Sequence, residues 1–221
     1  MEAVHRGKEY KVIYSKYIKR LFSLCLSSIG LVVASPIMLI TAILIRAKLG
    51  SPVIFSQERP GYKEKIFKLY KFRSMTDARD ESGELLPDEE RQTKFGRILR
   101  RTSLDELPSL INIFKGDMAF IGPRPLLKEY LQVYTPEQHK RHNVRPGMAN
   151  ISAIKGRNKL DWEERLKLDV WYAENISFLL DLKIFFQTIK VVLLREGAPD
   201  ANDSTRGRLD VAVTGKKLKG E

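Results

Sequence analysis

Cysteine is almost missing from this sequence: Cys25 stands alone in 221 residues. An internal disulfide and any multi-cysteine zinc site are therefore excluded, and the chain suits a reducing compartment. Histidine is scarce too. His139 and His142 sit beside Lys140 and Arg141, whose charge opposes a bound metal. The common nucleotide and hydrolase devices are absent, with no G-x-x-x-x-G-K-[ST] loop, G-x-G-x-x-G, H-E-x-x-H or G-x-S-x-G. No internal repeat is visible. Acidic charge is in deficit, 27 Asp and Glu against 39 Lys and Arg, for a formal net charge of +12. This balance asks for an anionic partner: nucleic acid, an anionic membrane surface or a phosphorylated substrate. With 43% hydrophobic and 30% charged residues the chain can bury a core, which excludes global disorder. Its length suits one domain with an appendage.

One long apolar run stands out. No charge occurs between Leu21 and Ile45, and 25 residues can span a bilayer core. A cleavable signal peptide fits poorly, because Ala34-Ser35-Pro36-Ile37 continues into further apolar residues. By hydropathy alone the run is a single transmembrane helix. Two details argue otherwise. Ser35-Pro36 interrupts the run, and proline removes a backbone donor. Lys16, Lys19 and Arg20 precede it while Arg46 and Lys48 follow, so the positive-inside bias puts both ends in the cytoplasm. Split at Ser35, the halves reach roughly 21 and 15 Å at helical rise, short of a core of ~30 Å. A re-entrant helix-break-helix satisfies all of this. Ahead of it, Tyr10, Ile13, Tyr14, Tyr17 and Leu21 share a helical stripe beside lysines. That stripe suits an interfacial helix as well as it suits one packed on its own domain.

Beyond the run, the spacing predicts a β-hairpin from Val53–Gln57 and Ile66–Phe72, joined through Pro60-Gly61. Lys71 and Arg73 then share a face. Residues 76–94, with seven acids and three bases, read as a solvated excursion. Asp161 with Glu164 reads as a helix N-cap. A second helix is expected near Leu180–Leu194 and a polar, poorly ordered tail from 197. The chain divides into a basic amphipathic segment (1–20), a membrane segment (21–50), a catalytic domain (51–196) and a tail (197–221).

The chemistry concentrates in Arg97-Ile98-Leu99-Arg100-Arg101-Thr102-Ser103-Leu104-Asp105-Glu106. Taken alone, Ser103-x-x-Glu106 is a capping box, with acids in a first helical turn. Its company shifts the weight. Three arginines precede the acid pair, and turns presenting Arg124, Arg145 and Arg157 follow. Adjacent carboxylates can hold Mg²⁺ with substrate phosphates, or one can attack phosphorus. Arginines on rigid turns suit fork-like phosphate contacts, and Arg101 and Arg145 are candidates for phosphate or nucleotide binding. Acid pair, arginines and membrane segment together describe phosphoryl transfer at a membrane surface.

Several blocks are similar to a known family: Ser35-Pro36, Pro52–Gly61, Lys71-Phe72-Arg73-Ser74-Met75, Ser103–Pro108, Lys115-Gly116-Asp117-Met118 and Gly122-Pro123-Arg124-Pro125. Over roughly residues 17–196 the chain resembles the bacterial sugar transferases, the small monotopic polyprenyl-phosphate phosphoglycosyl transferases. The resemblance implies an α+β, mostly helical monotopic membrane protein with a re-entrant segment, interfacial helices and a small β element. It implies transfer of a sugar-1-phosphate from a UDP-sugar donor to a polyprenyl phosphate such as undecaprenyl phosphate, with release of UMP. Asp105 matches the nucleophile that forms a phosphosugar-aspartyl intermediate, and Glu106 its partner linked to Mg²⁺. Lys71, Arg73 and Arg124 fall in its basic motifs, which suggests phosphate contacts. The expected setting is the cytoplasmic face of a bacterial inner membrane, on an anionic bilayer, feeding downstream glycosyltransferases in a surface-glycan pathway. One stretch departs. Where the family continues Ile/Leu-Thr-Gly-hydrophobic-Ala-Gln-Val, this chain has Met148-Ala149-Asn150-Ile151-Ser152-Ala153-Ile154. Two hydrogen-bonding side chains of the expected donor site are missing. The competing expectations are a membrane-anchored nucleic-acid-binding domain, for which no recognition module is visible, and a scaffold that has lost catalysis.

Overall fold

The computed structural model describes residues 10–155, 160–193, 209–215 and 218. The architecture is mostly helical, with two small two-stranded sheets. A continuous helix covers Tyr10–Leu49. Its first part holds a π-helical turn, Tyr14–Ile18, and its body is α1, Lys19–Leu49. The expected break at Ser35-Pro36 is not a break: α1 stays helical through both residues. The reason is local. A proline at 36 has no N–H to give the carbonyl of Val32, four residues back. Ser35 Oγ donates to that same oxygen at 2.7 Å, so the acceptor is satisfied and the helix continues.

At about 1.5 Å per residue, α1 is about 46 Å long. One stripe packs on the rest of the protein throughout: Lys19, Ser23, Ser27, Thr41 and Ile45 are buried, and Leu31, Ala34, Met38 and Ala42 join the cores between them. The steps are of three and four residues, one face of a helix. The opposite face exposes Leu21, Leu26, Ile29, Val32, Val33, Ile37, Leu39, Ile40 and Ile43, with Val32 at 74%. The aromatic stripe ahead of α1 divides in the same way. Tyr14 is buried in a core with Tyr172 and Ile184, whereas Tyr10, Ile13 and Tyr17 face outward.

The hairpin forms as expected and runs further. Strand β1 (Ile54–Pro60) pairs antiparallel with β2 (Ile66–Phe72), from Ile54 opposite Phe72 to Pro60 opposite Ile66. The excursion 76–94 is largely exposed, with one short helical turn at Asp88–Arg91. Next come α2 (Lys94–Arg101) and α3 (Ser109–Lys115). Gly96 lets α2 approach closely, since a Cβ there would lie 1.9 Å from the Ser74 carbonyl oxygen.

A second, parallel ladder was not legible in sequence: β3 (Ala119–Ile121) pairs with β4 (Gly147–Ala149). It is only three residues long and depends on glycine. A Cβ on Gly147 would meet the Gly122 nitrogen at 2.1 Å. Helices α4 (Trp162–Asn175) and α5 (Phe178–Leu193) close the domain. Asp161 and Glu164 form the expected reciprocal cap on α4. The expected loosely ordered tail is corrected in part. Leu209–Thr214 is helical, because Leu209 has an apolar site to fill beside Tyr130 and Leu166. Residues 197–208 and the Gly156-Arg157-Asn158 turn lie outside the described residues.

Candidate active site

The acid pair does not cap a helix. Ser103 adopts a left-handed conformation (φ 56°) and its side chain caps nothing, so the capping-box alternative is not formed. Asp105 and Glu106 instead occupy a 3₁₀ turn, Leu104–Glu106, between α2 and α3. What fixes this turn is a side-chain seam between α3 and the free edge of β2. The Asn112 amide, fully buried, accepts from the Tyr70 N–H at 2.9 Å and donates to the Lys68 carbonyl at 2.7 Å. Ser109 Oγ donates to the Tyr70 carbonyl at 2.9 Å. Below the seam, Leu69 packs with Leu110 and Ile113. Lys71, next along β2, is thereby held opposite Glu106, with Nζ to Oε1 at 2.7 Å.

Arg124 approaches the same Glu106 oxygen at 3.6 Å and remains half exposed. Burial would raise the Glu106 pKa, but the charges of Lys71 and Arg124 prevail and hold it below the usual glutamate value. Asp105 behaves oppositely. Burial, helped by the Glu106 charge, pushes its pKa up against the pull of Lys71, Arg100 and Arg124. Among the described residues the Asp105 carboxylate has no hydrogen-bond or ion-pair partner, although the residue is only 8% exposed. One carboxylate is thus tethered by cations and its neighbour is free to act.

Both acids line a cleft of about 1650 Å³, together with Lys71, Arg73, Arg100, Arg101 and Arg124. Arg101 is exposed on its wall. Arg73 is in the cleft but already committed: it donates to the Met75 carbonyl, the Ser51 carbonyl at 2.7 Å and Asp77 at 2.6 Å. Its evident work is to hold the loop after β2. Arg145 is not brought to this cleft; it lines a separate pocket. Among the described residues no group of three or more His, Cys, Asp or Glu could hold a metal by itself. Two adjacent carboxylates nevertheless fit Mg²⁺, which uses one or two of them and completes its shell with water and substrate phosphate oxygens. Asp105 and Glu106 are the residues that would hold it.

Sequence reasoning missed the residues that aim Arg124. Arg141, 1% exposed, donates to the Arg124 carbonyl at 2.7 Å and pairs with buried Asp169 at 2.6 Å. From the other side Arg59 donates to the Pro125 carbonyl at 3.3 Å. A buried arginine and a half-buried one, Arg141 and Arg59, therefore grip the Pro123-Arg124-Pro125 turn by its backbone. A signal was available. Asp169 sits between Leu166, Val170 and Tyr172 on the buried side of α4, where an acid demands a cation.

The family profile "Bacterial sugar transferase" matches residues 14–195, most of the chain and every residue that lines this cleft. The chain belongs to the bacterial sugar transferase family. It is 51% identical over 191 residues to the uncharacterized sugar transferase EpsL of Bacillus subtilis, covering 86% of this chain and 95% of that one. It is 36% identical over 201 residues to the undecaprenyl-phosphate galactose phosphotransferase of Salmonella typhimurium, and 40% identical over 206 residues to the galactosyl transferase CpsE of Streptococcus agalactiae. Those alignments cover 83% and 86% of this chain but 42% and 45% of the relatives, so the chain spans less than half of their length.

In this sugar transferase the grip on Arg124 is open to a direct test. Arg141→Lys keeps a charge opposite Asp169 but loses the fork that reaches the Arg124 carbonyl. Stability in a detergent-solubilised urea titration should fall by less than about 3 kcal/mol, the lower end for breaking a buried pair. Transferase turnover should fall at least about tenfold, a displacement effect on a positioned cation. Unchanged turnover would show that the Pro-Arg-Pro turn holds itself.

Proposed function

We propose that this sugar transferase moves a sugar-1-phosphate from a UDP-sugar to a polyprenyl phosphate such as undecaprenyl phosphate, releasing UMP through a covalent phosphosugar-aspartate. The observation that carries the reading is the buried Asp105 carboxylate, without a partner among the described residues, beside a Glu106 held by Lys71 and Arg124. The similarity to the undecaprenyl-phosphate galactose phosphotransferase of Salmonella typhimurium supports the lipid-phosphate acceptor.

In the first step an Asp105 oxygen attacks the β-phosphorus, and the bond from that phosphorus to the UMP oxygen breaks, with UMP taking the electron pair. In the second, a phosphate oxygen of the lipid attacks the same phosphorus and the bond to Asp105 breaks, regenerating the carboxylate. Bound Mg²⁺ would neutralise phosphate charge in both displacements. Lys71 keeps Glu106 ionised and in place, while Arg124 and Arg101 present donors to phosphate oxygens. Each half-reaction reuses one set of cations, so the water-soluble donor and the lipid acceptor need not be bound together.

The wall formed by 148–153 belongs to the same cleft, where Asn150 and Ser152 are buried and Ala149 and Ala153 replace the expected Thr and Gln. We assign this wall to the sugar nucleotide. For the membrane, the guiding fact is that α1 is packed on the catalytic domain from Lys19 to Ile45. A helix crossing the bilayer would carry that domain into the hydrocarbon. We therefore infer that α1 enters by its apolar outer face, with both ends and the cleft on the cytoplasmic side of a bacterial inner membrane. Downstream glycosyltransferases would receive the lipid-linked sugar.

Asp105→Asn should reduce UMP release to background while the protein still melts cooperatively, and donor alone should leave a phosphosugar adduct on the wild-type Asp105 peptide. Chelator should stop turnover and added Mg²⁺ restore it. Sequential kinetics with no adduct and near-normal turnover in Asp105→Asn would sink the mechanism. For the donor wall, the double change Ala149→Thr, Ala153→Gln should shift KM or sugar preference more than kcat in a screen of UDP-sugars. An inactive parent rescued by it would instead favour the degenerate-scaffold alternative. For topology, Tyr10→Cys and Arg46→Cys, each with Cys25→Ser, should both be shielded from an impermeant thiol reagent in intact cells. Labelling of one and not the other would mean that α1 spans.

A further inference from the structure

Arg145 belongs to a second, smaller pocket of about 140 Å³ at the start of β3. Ala119 lines this pocket, while Phe120 and Ile121 line the catalytic cleft, and the two share no residue. Four cations line it: Lys16, Lys19, Arg20 and Arg145. None of its described lining residues is acidic. Met118, Val144 and Ile176 give the lining an apolar part.

Much of this charge already has structural work. Arg20 donates to the Ile113 and Phe114 carbonyls, each at 2.7 Å, and Arg145 Nε to the Gly116 carbonyl at 2.9 Å, so both guanidiniums gather at the C-terminal end of α3. Lys19 pairs with Asp181 at 2.7 Å. That carboxylate is also claimed by the Tyr14 and Tyr172 hydroxyls, and it stands behind the pocket rather than in its wall. Capping carbonyls satisfies hydrogen bonds but leaves the positive charges in place. Two guanidiniums drawn together beside an apolar lining, with no carboxylate among the described lining residues, repel each other at close range. Arg145 has five N–H donors, of which one is used among the described residues. An anion with several acceptor oxygens relieves both conditions, and a tetrahedral phosphate matches the fork of a guanidinium. The pocket is far too small for a sugar nucleotide, for which the catalytic cleft has the room.

We propose that this pocket binds a phosphate group, supplied either by the headgroup of an anionic phospholipid or by a free phosphate ion. The first turns of the helix favour the lipid as source, because Tyr17, Ile18 and Leu21 are exposed beside the pocket residues Lys16, Lys19 and Arg20. The site is separate from the reaction proposed at Asp105 and stands or falls without it.

The test uses full-length protein in an uncharged detergent. Native mass spectrometry in micelles doped with phosphatidylglycerol or phosphatidylcholine reads the lipid, and calorimetric titration with inorganic phosphate reads the free ion. Arg145→Gln and the exposed Lys16→Gln are compared with wild type, and their melting curves establish that both fold. Asp105→Asn and Arg124→Gln serve as controls in the other cleft. One retained phosphatidylglycerol, weakened about tenfold in the pocket variants and unchanged in the cleft variants, assigns the site to a lipid headgroup. Phosphate binding lost in the pocket variants, without preference for phosphatidylglycerol, assigns it to the free ion. Pocket variants that match wild type in both measurements overturn the proposal.

Discussion

The carboxamide of Asn112 is the contact on which the cleft depends. It is completely buried and supplies both a donor and an acceptor to the open edge of β2. A helix side chain thus does the work of a third strand. Without it the Lys68 carbonyl and the Tyr70 N–H would lose their partners at a partly buried edge, at up to about 1–3 kcal/mol for each orphaned group. Its geometric consequence matters more. The seam fixes the distance between β2 and the start of α3, and the Lys71–Glu106 pair spans that distance. Gly116, with φ 93°, ends α3 one turn later, where Arg20 from α1 and Arg145 from the β4 approach both reach its carbonyls. One short helix of seven residues therefore ties together the hairpin, the long apolar helix and the second ladder.

Two neighbouring carboxylates need different surroundings if they are to do different work. Here the difference comes from partners, since both side chains lie in the same protein wall. Lys71 and Arg124 converge on Glu106 and outweigh its burial. Asp105 receives the same cations only at a distance and keeps an elevated pKa. Pairs of titratable groups driven apart by their environment mark a division of roles. The group without a hydrogen-bond partner has unencumbered lone pairs, which a nucleophile requires. Arg124 shapes both acids, which is why its backbone is held from two sides by Arg59 and Arg141 rather than left to a mobile loop.

The sequence made local features legible where pattern and physics coincide. The β1–β2 hairpin followed from two apolar runs around Pro60-Gly61, and the α4 cap from Asp161 and Glu164. The acid pair and the cations Lys71, Arg101 and Arg124 stand out in the sequence, and they line one cleft. Distances in space were less legible. Arg145 follows the same Arg-on-a-turn pattern as Arg124, but it lies just before β4 and lines a different pocket, at the start of β3. The three-residue ladder itself left no periodic trace, because its pairing rests on two glycines that approach without side chains. At Pro36 the neighbour, not the proline alone, decides the outcome. Ser35 supplies the hydrogen bond that the ring removes, and the helix goes on.

That continuity changes what the apolar helix is. A segment broken at its middle could be an anchor attached to a finished domain, whereas α1 is part of the domain's foundation. Its Leu31 and Ala34 complete the core of Leu69, Leu110 and Ile113 beneath the Asn112 seam. Its Ile45, with Met38 and Ala42, completes the core of Phe72 and Leu99 beneath the turn that carries Asp105. Each fully buried side chain of this kind contributes about 1.5–3 kcal/mol, and a domain has only about 5–15 kcal/mol in total. Losing the helix would expose several of them at once, so the cleft cannot keep its shape without α1. The same helix presents its other face, Leu26 to Ile43, to the surroundings with no polar cover. Whatever shields that face is therefore coupled mechanically to the turn that carries Asp105, through side chains that touch both.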